Sequence, residues 1–250
     1  MTSTRRTATI VGLLFLTQTI AFIIAEQLFT RVLNRPDYLT AVSGDANTLT
    51  LGALLAFVSG VAVVGIAVLM FPLLKRTSEP LALAYVGERV IELVLQVFFY
   101  LAAPLLIVAI GNGLRDGTVN AASAQSLGPV LKAAHDVGIV VLYLVTSVGG
   151  TIFAFLLYRS RLVPRPIAVL GLIGYPVLLV GSVLAMFGVT DVTQGAGLLA
   201  VAPGGLFELI LPIWLLTKGF SQPATSHVIA GPDGTLEAAP RSAHVPAGAR

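Results

Sequence analysis

Cysteine is absent from this chain. Disulfides, thiolate metal sites and cysteine nucleophiles are therefore excluded. Charge is nearly as scarce. Asp, Glu, Lys and Arg make up 11% of the 250 residues, against about 25% in soluble domains. So few charges cannot cover a water-exposed surface of this size. Together with 56% hydrophobic residues and a mean hydropathy of +0.92, the shortage points to an integral membrane protein. Long basic runs are missing too, although the sequence pI is near 9.4. The bases flank apolar segments, where they act as topological signals rather than as a nucleic-acid patch. No train of alternating ~10-residue segments is present, which argues against a β-barrel. The surroundings of Ser59, Ser147, Thr151 and Ser182 lack a nucleophile motif such as G-x-S-x-G, and there is no phosphate-cradling loop. His135 has no nearby histidine partner, since His227 and His244 lie near the C-terminus. No metal, cofactor or enzymatic activity is expected.

What is present is a set of six apolar stretches, roughly 7–28, 49–74, 81–110, 136–158, 166–189 and 196–217. Each meets the requirement of about 20 predominantly apolar residues for a membrane-spanning helix. Lipid offers the backbone no hydrogen-bond partner, so helices are the expected solution. Arg5 and Arg6 before the first stretch resemble the start of a signal peptide. The only candidate cleavage region, Ile24-Ala25-Glu26-Gln27, is a poor one, so the stretch reads as a retained helix. The fold expected is an all-α polytopic membrane bundle of six helices over 1–218. The Pro-, Ala-, Gly- and Ser-rich remainder, 219–250, reads as a disordered cytoplasmic tail.

Orientation follows from the connections. With the N-terminus inside, the inner segments of the helical domain hold Arg5, Arg6, Lys75, Arg76, Arg159, Arg161, Arg165 and Lys218. The outer ones hold Arg31, Arg35, Arg115 and Lys132. The excess predicts both termini in the cytoplasm of a multi-pass cell-membrane protein. Small residues recur at four-residue spacing: Gly52, Ala56 and Gly60; Gly150 and Ala154; Gly181 and Ala185. They let helices approach closely, either within one chain or between copies. The expected partners are the lipid bilayer and, besides it, a second copy or another membrane protein.

Three segments resemble a known family: GERVIELVL (87–95), LLYRSRLVPRPIAVLGLIGYP (156–176) and PGGLFELILPIWLLTKGF (203–220). The opening ATIVGLLFLTQTIAFIIAEQLF is similar as well. The family is a bacterial integral membrane family catalogued as a domain of unknown function. The resemblance covers about 5–220 and implies six helices in a prokaryotic cell membrane. It carries no activity, substrate or catalytic residue.

The chemistry worth a hypothesis lies in the charges inside the apolar stretches, which cost about 2.5–3.5 kcal/mol each on insertion scales. Two registers fit the third stretch. The short connection before Pro80 puts Glu88 roughly 10 Å and Glu92 roughly 17 Å into the membrane. Alternatively 93–111 is the span and the charges sit among headgroups; the short connection favours the deeper register. Tyr85, Arg89, Glu92 and Gln96 share one helix face, and Glu88 joins it through Glu92. That stripe should face the interior. Glu208, the only charge within the last stretch, falls at a similar depth, so Arg89 is expected to pair with Glu92 or Glu208. Three acids against one base predict a protonated Glu, a bound cation, or Glu88 reaching back toward the headgroups. Glu26, His135 and Asp136 read as a near-interface group. VIELVL (90–95) also resembles LFELIL (206–211) in the third helix of each half, as an inverted repeat would give.

Three functions fit this reading. The first is an ion- or proton-coupled small transporter centred on Glu88, Arg89, Glu92, Gln96 and Glu208. The second is a non-catalytic scaffold or partner subunit in which those charges fix packing. The third is a membrane enzyme acting on a lipid, which the missing nucleophile and metal motifs make the weakest.

Overall fold

The computed structural model describes residues 3–221, together with the two-residue strands Ile229–Ala230 and Leu236–Glu237, which pair antiparallel. The remainder of the expected tail lies outside the described residues. The helices are α1 (Ser3–Leu33), α2 (Tyr38–Ala41), α3 (Ala46–Leu74), α4 (Glu79–Gln96), α5 (Ala103–Arg115), α6 (Ala121–Ser160), α7 (Arg165–Met186) and α8 (Leu198–Thr217). A π-helical segment, Val97–Ala102, makes α4 and α5 one continuous rod. Six of these helical units are long and apolar enough to cross a membrane. The architecture is that of a multi-pass membrane protein.

The surface supports this. Leu13, Leu54, Val61, Ile91, Phe98, Val180 and Ile213 point outward, as lipid-facing residues do. Arg5 donates to the carbonyl oxygens of Leu216 at 2.7 Å and Thr217 at 3.3 Å. It closes the free carbonyls at the end of α8. The start of α1 and the end of α8 therefore share one face of the bundle, called here the terminal face. The opposite face carries 34–45, 116–120 and 187–197.

The helices differ in length, and this shapes the site. α6 has 40 residues, about 60 Å, whereas α7 and α8 have 22 and 20, about 33 and 30 Å. From the sequence the fourth apolar stretch begins at Asp136, with Leu127 to Ala134 as a short helical lead-in; the helix is continuous through both. It begins fifteen residues before Asp136 because the Asn120 side chain accepts from the Ser123 N–H at 2.8 Å, a helix N-cap. α2 went unread. It lies across this extension, with Leu39 filling the space a Cβ on Gly128 would need and Val42 doing so at Gly111. The long helices thus rise beyond α7 and α8 on the opposite face, leaving a step beneath the 187–197 connection.

The small-residue faces meet within the chain. An added Cβ at Gly52 would strike Phe29, at Gly60 Leu93, at Gly150 Tyr175 and at Gly181 Ala200. α7 and α8 touch backbone to backbone, with a Gly174 Cβ falling 2.6 Å from the Gly204 nitrogen. Two apolar cores result. One, around Met70, Tyr85, Phe153, Leu157 and Leu215, fills the terminal half. The other, around Phe29, Leu49, Tyr100 and Ile107, fills the opposite half.

Candidate functional site

The α4 stripe points inward. Tyr85, Glu88, Arg89, Glu92 and Gln96 are all buried, while Val90, Ile91 and Val94 on the other side are about half exposed. The helix is amphipathic with its polar face toward the protein, as a lipid-exposed helix requires. Arg89 pairs with Glu92 through Nη1 and stands 3.3 Å from Glu88 Oε2 through Nε. The latter contact is an ion pair without hydrogen-bond alignment. The guanidinium also lies over the Tyr85 ring at 5.2 Å, and that ring stacks on Phe153 at 4.8 Å. Glu88 does not reach back toward the headgroups. Its carboxylate presses on Gly149, where a Cβ would fall 1.6 Å from Oε2. A side chain at that position would have to displace the carboxylate.

Glu208 is held differently. Its Oε2 accepts from Gln18 at 3.0 Å and Thr19 at 3.5 Å, and its Oε1 from Tyr175 at 3.1 Å. The expected alternative, an Arg89–Glu208 pair, is not formed. α8 packs on α1 and α7, whereas α4 packs on α3 and α6. Neutral donors from α1 and α7 fill the acceptor positions of Glu208, and Arg89 is taken up by its own helix.

Glu92 and Glu208 nonetheless face one partly open pocket of about 160 Å³, lined also by Gln18, Ser59, Gln96 and Thr146. Glu208 sits at the middle of α8, ten residues from Leu198 and nine from Thr217. Sharing the pocket places Glu92 at the level of Glu208 along the bundle. Gln96 Oε1 and Ser59 Oγ are buried without hydrogen-bond partners. The arrangement offers two carboxylates and several neutral oxygens, a set suited to a proton or a hard cation.

A second cavity, of about 810 Å³, occupies the step on the opposite face. It is walled by α1, α6 and the 187–197 connection, and Tyr143 belongs to both cavities. The near-interface group resolves here. Glu26 is not at a helix end, because α1 runs on to Leu33. His135 lies fourteen residues into α6 and is 6% exposed. Its Nδ1 meets the Phe99 carbonyl oxygen at 3.0 Å. Phe99 belongs to the π-helical turn, in which the Ala103 N–H reaches back five residues to the Phe98 carbonyl and Pro104, five residues after Phe99, brings no N–H; such turns recur at functional sites. Asp136 pairs with Lys132 at 2.6 Å. At the rim, the hydroxyl and backbone N–H of Thr193 hold Asp191 below the usual carboxylate range.

Sequence reasoning missed Gln18, Thr19, Tyr175, Ser59, Tyr100 and Tyr143. For the first two a signal was present: Thr-Gln-Thr at 17–19 is a polar triplet deep in an apolar stretch. Among the described residues no group of three or more His, Asp or Glu is placed to hold a metal ion.

No curated protein and no solved structure matches this chain. The model of a family described as a domain of unknown function, DUF4386, matches residues 10–219, so the chain belongs to that family.

Proposed function

We propose that this protein is a transporter of the cell membrane, with both termini cytoplasmic, that couples a small solute to a proton or cation exchanging at Glu92 and Glu208. One observation carries the reading: two carboxylates, from helices that pack on different neighbours, converge on one pocket whose walls hold unpartnered oxygens. Arg89 neutralises at most one of the two acids beside it, so the cluster has a charge to exchange. The excess of basic residues on the terminal face supports its cytoplasmic placement, and the larger cavity then opens outward. No nucleophile motif accompanies the carboxylates, which favours transport over catalysis.

Infrared difference spectroscopy over a pH titration tests this. Wild type should show a titrating protonated-carboxyl band that shrinks in Glu92→Gln and Glu208→Gln. Proteoliposomes carrying a pH dye should lose gradient-driven proton flux in the same variants. Unchanged spectra and unchanged flux in both would sink the proposal. A second reading, a non-catalytic scaffold or partner subunit, is favoured by the Glu208 bonds that tie α8 to α1 and α7. It predicts that Glu208→Gln lowers thermal stability while leaving titration and flux as they were.

A further inference from the structure

We propose that the larger cavity is a binding site for an organic ammonium ion, with Glu26 as counter-ion and Phe29, Tyr100 and Tyr143 as its aromatic wall. This names the solute class for the transport reading and rests on it for the role of the site, though binding itself is tested separately.

The volume of about 810 Å³ suits a small organic molecule, for which pockets of about 300–1,000 Å³ are usual. Several charged groups line the cavity, and most are accounted for. Asp136 is paired with Lys132. Asp191 is bound by Thr193. Arg31 is exposed at the rim. That leaves Glu26, whose Oε1 is buried without a hydrogen bond. The Tyr100 hydroxyl is the second unpartnered group. Tyr100 is fully buried, and its hydroxyl faces the Glu26 carboxylate without the alignment of a full hydrogen bond. Both line the same cavity.

The wall is aromatic around these atoms. Phe29 and Tyr100 have ring centroids 6.0 Å apart, and the His135 ring meets both edge-on at 4.8 and 5.0 Å. The His135–Phe99 bond fixes that ring. Aromatic faces beside a carboxylate attract a soft cation by its charge and its methylene surface together. Other ligand classes fit less well. An anion would meet Glu26 and Asp191. A neutral apolar solute would leave the Glu26 charge with only the Tyr100 hydroxyl beside it, at a desolvation cost. A bare metal ion would not use the rings. Tyr143 links the cavity to that of Glu92 and Glu208, so an ammonium ion held here lies beside the exchanging carboxylates.

Calorimetric titration of the full-length protein in nanodiscs tests the site. The probes are 2-phenylethylammonium, its N,N,N-trimethyl derivative and the near-isosteric neutral 2-phenylethanol. Both cations should bind at least tenfold more tightly than the alcohol. Glu26→Gln should abolish that preference while leaving the alcohol unchanged. Tyr100→Phe keeps the ring and guards against a folding defect in the first variant. It should weaken the primary ammonium severalfold and spare the trimethylated one. Equal binding of all three probes, or a preference that survives Glu26→Gln, overturns the proposal, and so does no binding at all. Flux through Glu208 without cation binding would overturn this site alone. Cation binding without proton flux would leave the site standing and remove the transport reading.

Discussion

The two acidic centres of this bundle are solved in opposite ways. Glu88 and Glu92 share a single arginine on their own helix, while Glu208 has no cation and rests on three neutral donors from two other helices. The first arrangement is local. An ion pair three residues apart on one helix cannot by itself set the register between helices. The second is a tie across α1, α7 and α8. Buried charge is tolerated in the first by Coulomb compensation and in the second by hydrogen bonding. The α4 triad therefore reads as the electrostatic ballast of the site, and Glu208 as the member tied between helices.

Removing the ballast should have the largest effect. Arg89→Ala leaves two uncompensated carboxylates in the interior, and breaking such a pair costs about 3–5 kcal/mol. Thermal unfolding of the purified protein in detergent should show a large drop, partly restored by Glu92→Gln in the same chain. If Arg89→Ala unfolds like wild type, the triad is not the compensated unit described. Next in size is Gly149→Ala. Its methyl would land on the Glu88 carboxylate, and overpacking of this kind costs about 1–3 kcal/mol. Glu88→Ala together with Gly149→Ala should recover most of the loss, because the clash is with that one side chain.

The contrast between the centres also explains what the sequence made legible. Charges at three- and four-residue spacing in an apolar run mark a helix face, so the α4 stripe and its inward direction could be read directly. Glu208 stood out as a lone acid. Its partners did not, because Gln18, Thr19 and Tyr175 are uncharged and their convergence depends on how α1 and α7 pack. Tyr100 and Tyr143 were invisible for a related reason: an aromatic ring in a span is equally at home against lipid. The six spans were legible from hydropathy, but the length of α6 was not. Of its first fifteen residues only 127–134 read as helical, and 121–126 are polar enough to pass for a loop. They are helical because Asn120 caps them and because Leu39 of α2 packs against Gly128, a tertiary contact with no local signature.

Testing the neutral tie comes third. Tyr175→Phe removes one donor to Glu208 and leaves the ring against Gly150. A lost bond to a charged acceptor is worth about 1.5–3 kcal/mol. The stability loss should be smaller when Tyr175→Phe is made in a Glu208→Gln chain, where the charged acceptor is already gone. An equal loss in both backgrounds would mean that Tyr175 contributes only through packing.

The smallest effect should come from the rim of the larger cavity. Asp191 sits below its ordinary value of 3.8 because Thr193 hydrogen-bonds its ionised form. A group whose folded value is depressed stabilises the fold above its unfolded value, and loses that contribution as the pH falls through the folded one. At neutral pH the contribution is fully present, so Thr193→Val should loosen the 187–197 connection there. As the pH falls through the lowered Asp191 value the variant and wild type should converge, since the ionised form that Thr193 holds is then lost in both. The carboxylate is exposed and screened, so the readout must be local. Amide hydrogen exchange over 187–197 should rise in the variant at neutral pH, while exchange in α7 and α8 stays unchanged. Faster exchange throughout α7 and α8 would mean instead that the rim and the Glu208 tie form one cooperative unit.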